Sequence, residues 1–259
     1  MSKKAAAKIN TPPPQSAEQT MSQAWQAFGE GQPRQAEALC ARLLKAEPAH
    51  AHAWFLRALC AAALGKNPLV LKYFDKVQGS PELLPGVAQG RGRALLALER
   101  VDEDLTSFQE ALRYKPDDAS TYYFIGLAQL RLGSVDEGRR FLRQCTLLEP
   151  KFGQAHYELG ILAMHSAQVA QARASFRLAV EHLPKSPEAA NNLGLAEQAA
   201  GDGTAAEAGF RLALTLDKNY AEAWYNLGKL LGHLHQDAQA REALQQAFRL
   251  NPALRKVAA

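Results

Sequence analysis

Cysteine is scarce in this chain of 259 residues: Cys40, Cys60 and Cys145 stand far apart and are odd in number. No CxxC pair and no His/Cys spacing of a zinc site accompanies them, which argues against a disulfide framework or a structural metal; the thiols read as reduced core residues. Val, Ile and Thr are few beside Ala and Leu, so strands are not expected. No GxGxxG or P-loop string occurs, which removes the usual phosphate-cradling loops. No apolar run approaches the roughly 20 residues that span a bilayer. The opening MSKKAAAKINTPPPQS has only Ala5–Ala7 between lysines and lacks the apolar stretch of a secretory signal. No cysteine near the start offers lipid attachment. A cytoplasmic protein without membrane insertion is expected.

What is present is ordinary in amount: 47% hydrophobic and 22% charged residues, enough for a sizeable core. The net charge of +4 includes Lys3, Lys4 and Lys8 at the N-terminus, leaving the remainder nearly neutral. Nucleic acid, which calls for a clustered basic face, is not an expected partner.

The informative feature is a period. Cutting every 34 residues from Ala17 gives seven segments without an insertion: 17–50, 51–84, 85–118, 119–152, 153–186, 187–220 and 221–254. They cover 238 of 259 residues. Residues 1–16 form a basic, Pro-rich tail expected to be disordered, and 255–259 a short C-terminal tail. Position 8 of the segments is always small: Ala24, Ala58, Gly92, Gly126, Gly160, Gly194 and Gly228. Position 20 is Ala, Val or Gly except at Asp104, and position 24 is apolar throughout, from Cys40 and Phe74 to Phe210 and Leu244. Position 32 is proline in five segments: Pro48, Pro116, Pro150, Pro184 and Pro252.

Small residues at positions 8 and 20 allow two antiparallel helices to approach closely, and the residue at position 24 fills the space beside that contact. Proline at position 32 ends the second helix by removing a donor and clashing with the preceding turn. In Ser186-Pro187-Glu188 the serine suits an N-cap, the proline the first helical position, and the glutamate the positive helix end. Asp118 before Ala119 is placed to act in the same way.

These columns resemble the tetratricopeptide repeat pattern of Trp, Leu and Gly at positions 4, 7 and 8, Ala at 20, Phe at 24, Ala at 27 and Pro at 32. The last segment is the nearest fit, with Trp224, Leu227, Gly228, Ala240, Leu244, Ala247 and Pro252. The resemblance implies an all-α fold, a right-handed superhelical α-solenoid of seven antiparallel helix pairs. It also implies a non-enzymatic scaffold for protein–protein interaction, of a kind common in bacteria. The first segment departs from the pattern at Thr20, Gln23 and Leu43, as a terminal repeat does when its outer face meets water. Arg91 and Asp104 in the third segment are poorly suited to a packed interface, so the stack is expected to be loosest between repeats two and four.

At about 100° per residue, positions 4, 7, 8 and 11 of the first helix share one arc and positions 2, 5, 6, 9, 12 and 13 the other. By resemblance the second arc lines the concave groove. There the last four repeats carry Tyr123, Tyr157, Asn191 and Tyr225 at position 5, and Phe124, Glu158, Asn192 and Asn226 at position 6. Lys229 ends an aliphatic strip at position 9. Carboxamides both donate to and accept from a peptide backbone, and tyrosine supplies amphipathic contact at low entropic cost. These nine residues are the candidate partner-binding set. Asn192 and Asn226 resemble two rungs of the asparagine ladder of O-linked N-acetylglucosamine transferases.

The carboxylate clamp of chaperone-binding tetratricopeptide domains needs Lys, Asn, Asn, Lys and Arg, but the corresponding positions here hold Tyr157, Ile161, Asn192, Glu222 and Asn226. With Glu158, Glu188 and Glu222 outnumbering Lys229 on the arc of the last three repeats, a neutral or basic peptide is expected rather than an acidic one. The HxH pair His233/His235 reads as a solvated turn and His165 as a groove residue; no catalytic residue, metal or cofactor is expected. Two other readings stand beside the scaffold. The opening repeats resemble those preceding bacterial glycosyltransferase or sulfotransferase domains, which would make the chain a substrate-recruiting region, although only Arg255 to Ala259 follow the last repeat. A homo-oligomer through the uncapped C-terminal repeat, by way of Phe248 and Leu250, is the other.

Overall fold

The computed structural model describes residues 16–255, and the expected tails fall mostly outside them. Ser16, assigned above to the N-terminal tail, belongs to the fold. It caps the first helix in a capping box, accepting from the Gln19 amide at 3.2 Å while Gln19 Oε1 accepts from its own amide. The described residues form fourteen α-helices and no strand. They fall into two compact units that divide between Pro116 and Asp117.

The first unit holds α1 (Ala17–Gly29), α2 (Pro33–Ala46), α3 (Ala51–Ala63), α4 (Asn67–Phe74), α5 (Leu84–Ala97) and α6 (Val101–Tyr114). The second holds α7 (Ala119–Arg131), α8 (Val135–Leu148), α9 (Gly153–His165), α10 (Val169–His182), α11 (Pro187–Ala199), α12 (Gly203–Leu216), α13 (Ala221–His233) and α14 (Asp237–Leu250). Consecutive helices pair antiparallel, so each 34-residue segment is one hairpin.

The repeating columns explain the pairing. A Cβ placed on Gly160 would lie 2.6 Å from the Phe176 ring, and one on Gly194 would lie 2.7 Å from Phe210. The position-24 side chain therefore occupies the volume that a side chain at position 8 would need. Phe108, Phe176 and Phe210 are fully buried by this arrangement, each contributing about 1.5–3 kcal/mol. Small residues then join one hairpin to the next. Ala163, Ala172, Phe176 and Ala196 pack together across repeats five and six, and Ala190, Ala213 and Ala223 across six and seven. Glu197 adds a buried ion pair between repeats, at 2.7 Å from both Arg173 and Arg177.

Position 4 has a role that periodicity does not reveal. The indole N–H of Trp54 donates to the Pro48 carbonyl at 2.8 Å, and that of Trp224 to the Lys218 carbonyl at 2.9 Å. His156 Nε2–H makes the equivalent bond to the Pro150 carbonyl at 2.7 Å. A ring N–H thus satisfies a carbonyl freed where the preceding helix ends. The N-caps are as anticipated: Ser186 Oγ accepts from the Ala189 amide, and Asp118 from the Thr121 amide.

The second repeat departs from the pattern. Its second helix, α4, ends at Phe74 after eight residues, where the others run to fourteen. A turn through Gly79, at φ +73°, and a 3-10 segment Pro81–Leu83 replace the missing turns. Arg91, flagged as a poor interface residue, pairs with Asp75 just past this early stop, whereas Asp104 is fully buried. At the other end of the chain, a 3-10 turn Pro252–Leu254 follows α14, and the Arg255 guanidinium lies 5.6 Å from the Phe248 ring centre. The Phe248 side of the last repeat is thus partly covered.

Candidate functional site

The nine candidate residues all lie in the second unit, on the first helices of its four hairpins. They do not share one environment. Tyr123, Phe124, Tyr157, Glu158, Asn192 and Asn226 are half-buried and Lys229 is exposed. Asn191 and Tyr225 are buried, at 4% and 9% exposure, so they act within the protein rather than at its surface. The Tyr225 ring packs 6.4 Å from Phe248 and carries the Lys229 ammonium 5.6 Å from its centre.

The amides are not independent rungs. Asn226 Nδ2 donates to Asn191 Oδ1 at 3.0 Å, Asn191 Nδ2 reaches Asn192 Oδ1 at 3.5 Å, and Asn192 Nδ2 donates to the Tyr157 hydroxyl at 2.9 Å. This chain runs from repeat seven through six to five. It uses one donor of each asparagine inside the protein, so the side chains are less free to bond a peptide than their position implied. It also fixes Tyr157 as an acceptor on one side, leaving its own O–H to donate outward. Burial, then the charges of Glu158 and Glu188, push that hydroxyl's pKa up, so it remains a neutral donor.

At the end of this chain lies an open cavity of about 160 Å³ lined by Tyr123, Gln154, Tyr157, Glu158, Leu183, Ser186 and Glu188. Tyr123 is held by Phe152, ring centres 5.1 Å apart, and Tyr157 by Phe176 at 6.0 Å. Burial pushes the Tyr123 hydroxyl up to about 12, with the nearby Glu158 charge adding to the effect. The Glu158 carboxyl is itself raised by burial. Glu188 accepts from Ser186 Oγ at 2.8 Å, which orients it at the start of α11. Among the described residues, no Lys or Arg lies within ion-pair distance of Glu158, Glu188 or Glu222. The face is acidic and its carboxylates are not neutralised internally.

Sequence reasoning missed Leu183 and the aromatic residues at position 34, Phe152 and Tyr220. Burial pushes Tyr220 up to about 12, with Glu222, Glu188 and Tyr157 contributing in that order. These residues sit in the turn before each first helix, a stretch usually assigned to capping alone. The signal was available, because an aromatic at that column in two of the repeats has no capping role. Among the described residues there is no cluster of His, Cys, Asp and Glu able to hold a metal, and no helix long and apolar enough to cross a membrane.

Solved structures with the same fold include a chain of the APC/C hetero-tetramer Cut9–Hcn1, with TM-score 0.71, 17% identity and 92% of this chain covered. The chain spans about half of that protein, 47% of its length. PilW, a type IV pilus biogenesis factor, aligns over 82% of this chain and 96% of its own, with TM-score 0.67 and 21% identity. YrrB, described as a tetratricopeptide repeat protein with an unusual peptide-binding site, aligns over 69% and 92%, with TM-score 0.59 and 21% identity. No curated protein sequence matches the chain. Family models for the tetratricopeptide repeat match residues 21–82, 90–146, 157–221 and 221–254. The chain belongs to the tetratricopeptide repeat family.

Proposed function

We propose that the chain is a non-enzymatic adaptor whose inner face, on repeats four to seven, binds an extended peptide segment of another protein, neutral or basic in charge. The observation that carries this reading is the cavity beside Tyr123 and Tyr157, with carboxylates that no internal cation neutralises. Its walls are rigid aromatic rings backed by Phe152 and Phe176, the kind of preorganised surface that binds at low entropic cost. The Tyr157 hydroxyl and the free lone pairs of the asparagine chain offer polar contacts for a peptide backbone. On the arc of the last three repeats an acidic ligand would meet Glu158, Glu188 and Glu222, with Lys229 to offset them. That a similar fold, YrrB, is described as having a peptide-binding site is consistent with this use of the fold. The roles we assign within the candidate set are direct contact for Tyr123, Phe124, Tyr157, Glu158, Asn192, Asn226 and Lys229, and support for Asn191 and Tyr225.

The test is a selection of random linear peptides on the purified chain, followed by affinity measurements on the enriched sequences. Glu188→Lys, at an exposed position, places a cation at the cavity mouth. It is expected to weaken binding of selected peptides at least tenfold while leaving helicity unchanged. Enrichment of predominantly acidic peptides, or full affinity for Glu188→Lys, would overturn the proposal.

A further inference from the structure

The cavity at Tyr123 and Tyr157 has a size and a chemistry of its own. At about 160 Å³ it holds a single side-chain-sized group, since an enclosed void of about 150 Å³ accepts a benzene ring. Two of its walls are tyrosine rings, and each is locked by a second aromatic ring behind it. Leu183 contributes an apolar flank, and Gln154 and Ser186 contribute neutral polar atoms. Glu158 and Glu188 are its ionisable carboxylates. Neither has an ion-pair partner, although Arg173 and Arg177 in the next helix are both committed to Glu197.

A half-buried carboxylate without a cation is an unfavourable arrangement in a free protein. It becomes favourable once a cation enters beside it. The aromatic walls narrow the choice of cation. A guanidinium is flat, stacks on a tyrosine face, and gives up its hydration more readily than an ammonium. Its fork of five N–H donors serves two carboxylates at once, which a single ammonium point charge does less well.

We propose that this cavity is the anchor subsite for one arginine side chain of the bound segment, its guanidinium lying against Tyr123 or Tyr157 and bonded to Glu158 and Glu188. The inference rests on the groove reading above and adds a residue-level specificity to it. The Tyr157 O–H, fixed by its bond from Asn192, is placed to meet the carbonyl of the peptide beside that arginine. The asparagine chain then ties the anchor geometry to repeats six and seven.

The experiment uses the whole chain and the peptides from the selection described above. For one enriched peptide, each arginine is replaced in turn by citrulline, which keeps the shape and removes the charge, and by lysine. Affinities are measured on the wild type and on Glu158→Gln/Glu188→Gln. Citrulline at the anchor position should weaken binding to the wild type by about tenfold to a hundredfold, and lysine by less. On the double variant the citrulline and arginine peptides should bind alike. Enriched peptides without a shared arginine, a lysine peptide that binds as well as the arginine one, or an equal citrulline effect on both proteins would each overturn the anchor. In all three cases the groove reading survives, provided the peptides still compete for the same face. Failure to enrich any peptide would remove both.

Discussion

Gly209 and Gly232 allow one chemical change, glycine to alanine within a helix, to be tested in two opposite settings. Taken alone, alanine favours the helix by about 0.5–1 kcal/mol, because glycine loses more backbone freedom on folding. Gly232 lies on an exposed part of α13, and an added Cβ would meet only the Ala240 methyl at 4.0 Å, an ordinary contact. Gly232→Ala is therefore expected to stabilise the protein by about the propensity difference, roughly 0.5–1 kcal/mol. At Gly209, in α12, the added Cβ would lie 2.8 Å from the Gly194 Cα and amide nitrogen and 3.1 Å from the Ala190 carbonyl. All three are backbone atoms of the facing helix α11, and no rotamer change relieves them. The helices must part by roughly half an ångström or more, and overpacking of this kind costs about 1–3 kcal/mol. The same separation loosens the fully buried Phe210. The net expectation is a loss of about 1–2 kcal/mol, after the propensity gain is subtracted. Urea unfolding followed by circular dichroism should move the midpoint down for Gly209→Ala and up for Gly232→Ala. Repeat arrays can unfold in stages, so the comparison is made on the whole curve. A Gly209→Ala protein as stable as the wild type would refute the idea that backbone approach, rather than propensity, dictates this residue.

Removing Asn226 leaves the buried Asn191 oxygen without its donor, so Asn226→Ala should cost about 1–3 kcal/mol in the same assay. Asn192→Ala should cost less, because the bond it accepts from Asn191 is long, at 3.5 Å, and the half-buried Tyr157 hydroxyl can turn to water; the reverse order would mean the chain is not what orders this face. Glu197→Ala strands Arg173 beside a buried site and should destabilise by about 3 kcal/mol, whereas Arg177→Ala, truncating a side chain 58% exposed, should cost under about 1 kcal/mol. Burial holds Cys40 at about 11 and Cys60 and Cys145 at about 12. All three thiols should therefore resist iodoacetamide near neutral pH in the folded protein and react together on unfolding; rapid labelling of any one in the native state would contradict that. Glu158, with Tyr123, Tyr157 and Glu188 around it, has a folded pKa above its ordinary 4.5. In the window just above that value the folded state holds the proton more tightly than the unfolded one. Its contribution to stability is thus greatest below 4.5 and declines as pH rises through the folded pKa. Binding of an arginine peptide should run the other way, strengthening across the same window, and a titration showing flat affinity there would count against Glu158 as a ligand group.

The period of 34 was sufficient, without coordinates, to define a helical-hairpin array. Each column states a local steric requirement: a small residue where helices touch, a bulky one beside it, a proline where the helix stops. The arc of each first helix that carries the packing columns was legible for the same reason, because it follows from the helical angle; that the opposite arc lines a groove came from the family resemblance. Side-chain partnerships across repeats were not. Asn191, Asn192, Asn226 and Tyr157 looked like parallel rungs in the sequence, yet they form one hydrogen-bonded chain. That depends on how far one hairpin is rotated against the next, which no single repeat encodes. Tyr225 looked like its counterparts Tyr123 and Tyr157, but packing against Phe248 buries it. The early end of α4 was hidden too, since its segment keeps the length of 34 while exchanging helix for turn. What the tertiary structure decided was therefore which polar groups are already satisfied and which remain open. That distinction left Glu158 and Glu188, beside two braced tyrosines, as carboxylates without an ion-pair partner.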